Sequence, residues 1–345
     1  MTETAERSAK PAAERCWQEM DQGMARLNGR PAYCVLSFCV VVVAMSLTGC
    51  SSSSKGTVNH TSSAPPPAAS ASPVCATGPL HLIGSTAFMP IAQDAASAYM
   101  RDCPGAAITV TGGDSDYGLT QVRNAVASGS SLAGSMIAMY DGLPSDTTGL
   151  NPYPMGVLIL SVVAHTGLFP SGNITTAELR QIFVKPGEKG KVAVGRRAGS
   201  GTRRAFIMNV LGLNPAAPDL TPDKGNCPKP TGRAVSFTSC TEDSTPDLLS
   251  FVDNTPNAIG YAIVSQPDTN YPQVSVISID NVVPTADNVR SGLYKFWAVE
   301  NLYASTQPTR LTSDFLDFLS HFKAPNLPSD FIPCYDAPQK LGTEC

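Results

Sequence analysis

The sequence predicts an α/β fold in two lobes, on three observations. From Leu80 onward, short apolar runs alternate with stretches of helical period, the pattern of helices packed on largely parallel sheets. Two longer apolar runs, Met155–Ala164 and Ala258–Val264, bracket a middle segment. A chain that crosses from one lobe to another and returns would read this way, each run being a strand buried on both faces. Finally, three Gly/Ser/Thr turns each follow an expected strand and open an expected helix.

The elements follow in order. Leu80–Gly84 is a short apolar strand and Phe88–Met100 a helix that stops before Cys103-Pro104-Gly105. Ala107–Thr111 is a strand, Tyr117–Ser128 a helix after a glycine turn, and Leu132–Met136 a third strand. Met155–Ala164 crosses to the second lobe. There Thr176–Phe183 is a helix capped by Thr175 or Thr176, and Val192–Gly195 a strand. Thr202–Leu211 and Thr245–Asn254 are helices, and Ala258–Val264 returns. Val274–Ile279 and Phe296–Tyr303 are strands, and Leu311–Phe322 is the last helix. Asn214–Cys240, rich in Pro, Asp and Gly, reads as a loop.

A chain of 345 residues can bury a large core. Its charge is sparse, at 15%, and the formal net charge of −4 argues against a nucleic-acid partner. The N-terminus reads as a targeting device. Arg26 and Arg30 precede an apolar run, Tyr33–Leu47, too short to span a bilayer comfortably. It ends in Leu47-Thr48-Gly49-Cys50, which resembles a bacterial lipobox, so Cys50 is the expected lipidation site. The expected localisation is the cell membrane, lipid-anchored, on its extracytoplasmic face. Met24 would start a signal of normal proportions, leaving 1–23 as an extension. The expected organisation is a signal region over 1–49 and a Ser/Pro/Ala-rich tether over 50–73. The first lobe is 74–160 with 265–345, and the second is 161–264. The tether buries too little apolar surface to fold.

Six cysteines remain in the body, an even number that suits an oxidising compartment. They allow fifteen pairings. The local set, Cys75–Cys103, Cys227–Cys240 and Cys334–Cys345, closes the shortest loops and is the one expected. No Cys/His pair has zinc spacing, so neither a metal nor a cofactor is expected.

The chemistry concentrates in Arg196-Arg197-Ala198-Gly199-Ser200-Gly201-Thr202. Ser200 is placed as an N-cap, the glycines allow close backbone approach, and a helix start offers unpaired N–H groups. An arginine adds a forked cationic donor. These are the parts of an anion cradle. The other two turns are Gly84-Ser85-Thr86-Ala87-Phe88 and Gly112-Gly113-Asp114-Ser115-Asp116-Tyr117-Gly118. Convergence of the three between lobes would surround a small anion at the carboxyl ends of the strands.

This order of turns resembles the PstS-like phosphate-binding proteins of phosphate ABC transporters, which have the type II periplasmic-binding-protein fold. Asn173-Ile174-Thr175-Thr176 with Leu179-Arg180 and Ile182-Phe183, and Ile259-Gly260-Tyr261-Ala262, are similar to that family's segments. The resemblance runs from about 79 to 325. It implies two lobes joined by two crossing strands, with a ligand cleft between them. It also implies an oxyanion held by Ser85, Thr86 and Phe88, by Ser115, and by Arg196 or Arg197 with Ser200, Gly201 and Thr202. The partners it implies are phosphate or a similar oxyanion and a membrane ABC permease, with the protein acting as a monomer.

One departure stands out. The family carries an aspartate just after its third strand, to accept the proton of HPO₄²⁻. Here the corresponding run is read as Gly134-Ser135-Met136-Ile137, with no carboxylate. Asp114 or Asp116 would be the substitute, or else a solvated turn residue. Two non-enzymatic readings follow: a solute-binding protein for phosphate or a related oxyanion, and a surface protein of this fold that has lost phosphate specificity in a sensor, adhesion or matrix role. A hydrolase fits worst. Ser115 and Ser200 lie outside any G-x-S-x-G, His60 is in the tether, and His81 and His165 lie in or beside buried strands.

Overall fold

The computed structural model describes residues 75–184, 190–215, 225–267, 270–323, 329–337 and 345. The leader, Cys50 and the tether lie outside the described residues. Strand and helix alternate as expected. β1 (Gly78–Gly84) leads to helix α1 (Met89–Asp102), β2 (Ala106–Gly112) to α2 (Ser115–Ala127), and then come β3 (Met136–Asp141) and the long β4 (Leu150–His165). The middle of the chain holds β5 (Asn173–Ile174), α3 (Thr176–Phe183), β6 (Val192–Arg196) and α4 (Gly201–Ala205). A π-helical turn over Phe206–Val210 continues α4. After these come β7 (Ser239–Glu242), α5 (Thr245–Asp253), β8 (Ala258–Ile263), β9 (Val274–Ile279) and α6 (Ala286–Arg290). The chain closes with β10 (Trp297–Ser305), α7 (Arg310–Ser320) and β11 (Phe331–Pro333).

The strands follow one hydrogen-bonded path, β2-β1-β3-β10-β4-β8-β6-β7. β4 is its spine. The Leu150–Ile159 half pairs with β10, and Leu160–Ala164 pairs with β8. The path therefore has two halves, the two lobes, which share one strand. Parallel ladders occupy the outer parts, β1 with β2 and β3, and β6 with β7 and β8. The ladders that β4 and β10 make in the middle are antiparallel, so the sheet is mixed rather than largely parallel. β9, expected in the first lobe, pairs with Val162–His165 of β4 in the second. The chain therefore leaves that half-sheet after Ile279 rather than at 265.

Local chemistry explains the helices. In α3 the Thr175 hydroxyl accepts from the Glu178 N–H while the Glu178 carboxylate accepts from Thr175, a complete capping box. In α7, Leu311, Phe315, Leu316 and Leu319 make one buried face behind a Thr309 cap. Tyr99 of α1 meets Phe315 and Phe318 edge-on at 5.5 and 5.3 Å. The three expected disulfides are those formed. Cys75–Cys103 ties the start of the body to the end of α1, and Cys227–Cys240 pins the polar loop onto β7.

The third strand departs from expectation. Leu132 is half exposed, Ala133–Ser135 is a single 3-10 turn, and the strand starts at Met136 and ends at Asp141. The apolar run that fills the core is Ile137-Ala138-Met139-Tyr140. This shift of about five residues matters for the site.

Candidate functional site

The first turn is set by Gly84. Its φ is +137°, and a Cβ there would stand 2.3 Å from the Met139 carbonyl oxygen, so only glycine fits. Ser85 N–H donates to that carbonyl at 2.9 Å, which fixes the Ser85 side chain inward. The Ser85 hydroxyl accepts from Phe88 N–H at 3.2 Å and donates to the Asp141 carboxylate. The second turn is set by Asp114, which caps α2 by accepting from Tyr117 N–H at 2.7 Å. That leaves Ser115 as the first helical residue, buried, its hydroxyl accepting from Asp141 N–H at 3.3 Å and Gly201 N–H at 3.2 Å.

The third turn follows β6. Arg196 is its last residue, buried to 2% exposure. Tyr261 of β8 accepts from the Arg196 N–H at 2.9 Å, which gives the returning strand a direct role. The guanidinium donates to Thr245 Oγ1 at 2.7 Å and to the carbonyls of Asp243 at 2.8 Å and Glu242 at 3.3 Å. Burial pulls its pKa below the ordinary arginine value. Ser200 caps α4 by accepting from Arg203 N–H at 3.3 Å, and the Thr202 hydroxyl donates to Asp141 at 2.7 Å.

These bonds bring together Ser85, Thr86, Phe88, Ser115, Arg196, Ser200, Gly201 and Thr202. The two halves touch through them. Thr86 Oγ1 of the first half accepts from Thr245 N–H of the second at 3.1 Å, and Thr202 of the second half reaches Asp141 of the first. Arg197 is not among them. It points outward into an ion pair with Asp243 and donates to Asn226 at 3.0 Å.

Two corrections concern the carboxylates. Ile137 lies near the start of β3, fully buried in the apolar core, and does not occupy the acceptor position. The residue after the third strand's apolar run is Asp141, buried to 3% and facing the Ser85 and Thr202 hydroxyls. The departure read from the sequence is therefore absent. Asp114 and Asp116 are not substitutes either. Asp114 is spent on its cap. Asp116 accepts from Arg204 at 3.1 Å and from the Tyr140 hydroxyl at 2.9 Å, and the Arg204 guanidinium lies 4.9 Å from the Tyr140 ring centroid.

Sequence reasoning missed Asp141, Thr245, Arg204 and Glu300. Thr245 opens α5, after the Ser244 cap, and supplies a fourth strand-to-helix turn to the cluster. Nearby, burial and the charges of Asp247 and Asp243 push the Glu242 carboxyl up to about 7, with Arg196 and Arg197 opposing. A groove of ≈270 Å³ lined by Asp141, Gly201, Arg204, Met208 and Trp297 opens beside the cluster.

Half-sheets sharing one strand, with four helix starts facing each other across the seam around a buried arginine and a buried carboxylate, define a two-lobed body of the periplasmic-binding-protein type. The chain belongs to the PBP superfamily: the family model of the PBP superfamily domain matches residues 62–321. It is 29% identical over 254 residues to the phosphate-binding protein PstS of Bacillus subtilis (strain 168), covering 71% of this chain and 76% of that one. Two solved structures share the fold. One is a Clostridium perfringens protein assigned as a phosphate ABC transporter substrate-binding protein, with phosphate bound (TM-score 0.56, 23% identity, 70% of this chain and 93% of that one). The other is an ABC-type phosphate transport receptor from Vibrio cholerae (TM-score 0.50, 21% identity, 70% and 93%).

Proposed function

We propose that this chain is the extracytoplasmic substrate-binding component of a phosphate ABC transporter, held at the membrane by a lipid on Cys50. One observation carries the reading: a buried carboxylate, Asp141, stands among donors from both lobes. Donors alone would accept any small oxyanion. A carboxylate among them rewards an anion that brings its own proton, as HPO₄²⁻ does and sulfate near neutral pH does not. Facing sulfate, the Asp141 lone pairs would oppose another acceptor, a penalty of several kcal/mol in a dry site.

The rest of the donor set fits. The hydroxyls of Ser85, Thr86, Ser115, Thr202 and Thr245, the N–H groups of Phe88 and Gly201, and the Arg196 guanidinium belong to the same group of turns as Asp141. Hydrogen bonds to a charged ligand contribute about 1.5–3 kcal/mol each. Eight or so offset anion desolvation and reach about micromolar affinity. The protein binds without turnover and passes its ligand to a membrane permease. The name of the Bacillus subtilis relative supports phosphate as that ligand. The reading in which phosphate specificity was lost rested on a missing aspartate, and Asp141 removes that support.

Calorimetric titration with phosphate, arsenate and sulfate at one pH is the test. Phosphate and arsenate should bind, with sulfate at least a hundredfold weaker, and Asp141→Asn should bring sulfate within tenfold of phosphate. Absence of phosphate binding refutes the reading. For the anchor, Cys50→Ala should release the protein from membranes or leave a precursor of higher mass.

A further inference from the structure

Glu300 is a carboxyl in a place where a charge is costly. It lies in the middle of β10, is fully buried, and sits directly opposite Asp141 in the antiparallel β3–β10 ladder. Directly opposed residues of such a ladder share a face, with Cβ atoms about 4.5–5.5 Å apart, and like charges there are destabilising. On its other side β10 pairs with β4, where the partner is Gly156, without a side chain to reach across. The register against β4 slips between Glu300 and Asn301, a bulge of the kind that re-aims a side chain.

The charged groups on the elements packed nearby have their main contacts away from Glu300, although Arg203 Nη1 and Arg204 Nη2 have no hydrogen-bond partner among the described residues. Arg204 of α4 is paired with Asp116 of α2 and covers the Tyr140 ring. Arg203 of α4 lies close enough to Tyr261 of β8 for its charge to be felt there, and hydrogen-bonds to neither carboxyl. Arg196 of β6 feels Asp141 and donates to Thr245 and two carbonyls. Neither Glu300 oxygen meets a donor in hydrogen-bond geometry among the described residues, and the carboxyl interacts with the Asp141 side chain and the Tyr140 main chain. Asp141, by contrast, collects the hydroxyls of Ser85 and Thr202. Two carboxyls so placed hold one negative charge and one proton between them. Asp141 is the carboxyl of the pair that the two hydroxyl donors face. Burial first, and then the Asp141 charge, hold the Glu300 carboxyl well above the usual carboxylate range, which puts the proton there.

We propose that Glu300 is a proton-carrying positioning residue, a neutral carboxyl that hydrogen-bonds to the Asp141 carboxylate and so fixes the charge and direction of the acceptor that selects a protonated oxyanion. This rests on the reading of the site as an oxyanion binder with Asp141 as its acceptor. Glu300 itself touches no ligand. It keeps the Asp141 carboxylate from turning away or taking up the proton that the ligand should supply.

Two measurements test it on the purified protein at pH 7. Infrared difference spectra of wild type against Glu300→Gln should show the carbonyl stretch of one protonated carboxylic acid, present only in the wild type. Its absence overturns the proposal. In phosphate–sulfate competition, Glu300→Gln, which keeps a neutral donor, should hold the affinity ratio within threefold of wild type. Glu300→Met, of similar volume and without a donor, should lower that ratio at least tenfold. A side chain that merely fills the core would leave the ratio equal in all three proteins, and that result overturns the proposal as well. Should Glu300→Met fail to fold, the infrared comparison still decides. Wild type that binds neither anion would sink the oxyanion reading alone, and the infrared band would still report the Glu300 proton.

Discussion

Adding one methyl group at Gly201 should weaken anion binding more than its size suggests. Gly201 opens α4 where the two halves of the protein touch. A Cβ there would stand 2.3 Å from the Asp141 carbonyl oxygen, 2.6 Å from the Asp141 Cβ and 2.8 Å from the Ser115 hydroxyl. Ordinary contact needs about 3.5 Å, so the turn must withdraw by roughly 1 Å. The obstacle is main chain on a buried strand and cannot yield as a flexible side chain would. Withdrawal breaks the Gly201 N–H bond to Ser115 and stretches the Thr202 bond to the Asp141 carboxylate. A neutral bond contributes about 0.5–1.5 kcal/mol and one to a charged group about 1.5–3. Alanine returns about 1 kcal/mol of helix propensity. The net is about 1–3.5 kcal/mol, or roughly fivefold to a few hundredfold in phosphate affinity if the contact belongs to the bound form. Calorimetry of Gly201→Ala beside Gly195→Ala measures it. Gly195 is the control because a Cβ there meets nothing closer than Thr241 Cγ2 at 3.7 Å. If both variants bind phosphate like wild type, the turn does not close on Asp141 as argued.

Other expectations follow from the same geometry. Arg196→Lys keeps a charge but loses the fork that reaches Thr245 and two carbonyls, and should weaken phosphate binding at least tenfold. Arg197→Ala removes a surface ion pair and an exposed hydrogen bond to Asn226 and should stay within twofold; the opposite ranking refutes the assignment. Glu242, with its pKa raised to about 7 from an ordinary 4.5, binds a proton more tightly when folded. Its contribution to stability is therefore full below about pH 4.5 and is lost as the pH rises through 7. Glu242→Gln should gain in melting temperature over wild type at pH 8 relative to pH 5, and an equal difference at both pH values would contradict this. The Cys227–Cys240 loop should contribute about 3 kcal/mol. Alkylation of the denatured, unreduced protein, read by intact mass, should label no cysteine of the body; two or more labels would break the framework.

Alternation and capping made most of the fold legible. Val274–Ile279 and Thr176–Phe183 coincide with the strand and helix read from the sequence, the latter because Thr175 and Glu178 form a capping box. Polar composition hid β7, since Ser239-Cys240-Thr241-Glu242 carries little of the apolar signal that marks a strand. The site was legible where a glycine turn preceded a helix. Asp141 is hidden by the strand-like pattern of Leu132–Met136, whereas Leu132 faces solvent and the buried apolar run comes after it. The available signal was Asp141-Gly142 following that run. Alternation also separates the two arginines, since Val192, Val194 and Arg196 share the buried face of β6 and Arg197 lies beyond its end. Thr245 was seen only as part of a helix start, because nothing local links it to an arginine 49 residues earlier. Glu300 carried its own signal, one acid inside an apolar run, which marks a buried group with a task.

The sharing of β4 between both halves has a mechanical consequence. Sixteen residues of continuous strand measure about 50 Å, long enough to run through both lobes without a joint. A loop hinge concentrates bending in a few soft dihedrals. Here Ile159 is still bonded to β10's side of the sheet while Leu160 is already paired with β8, so no free residue lies between. Rotation of one half against the other must be taken up as extra twist along the strand, a few degrees at each residue, like a torsion bar under load. Such a bar stores elastic energy when turned and gives it back on release. Stiffening the seam at Val157–Leu160 should therefore slow opening and closing alike, leaving the resting geometry of the four turns unchanged.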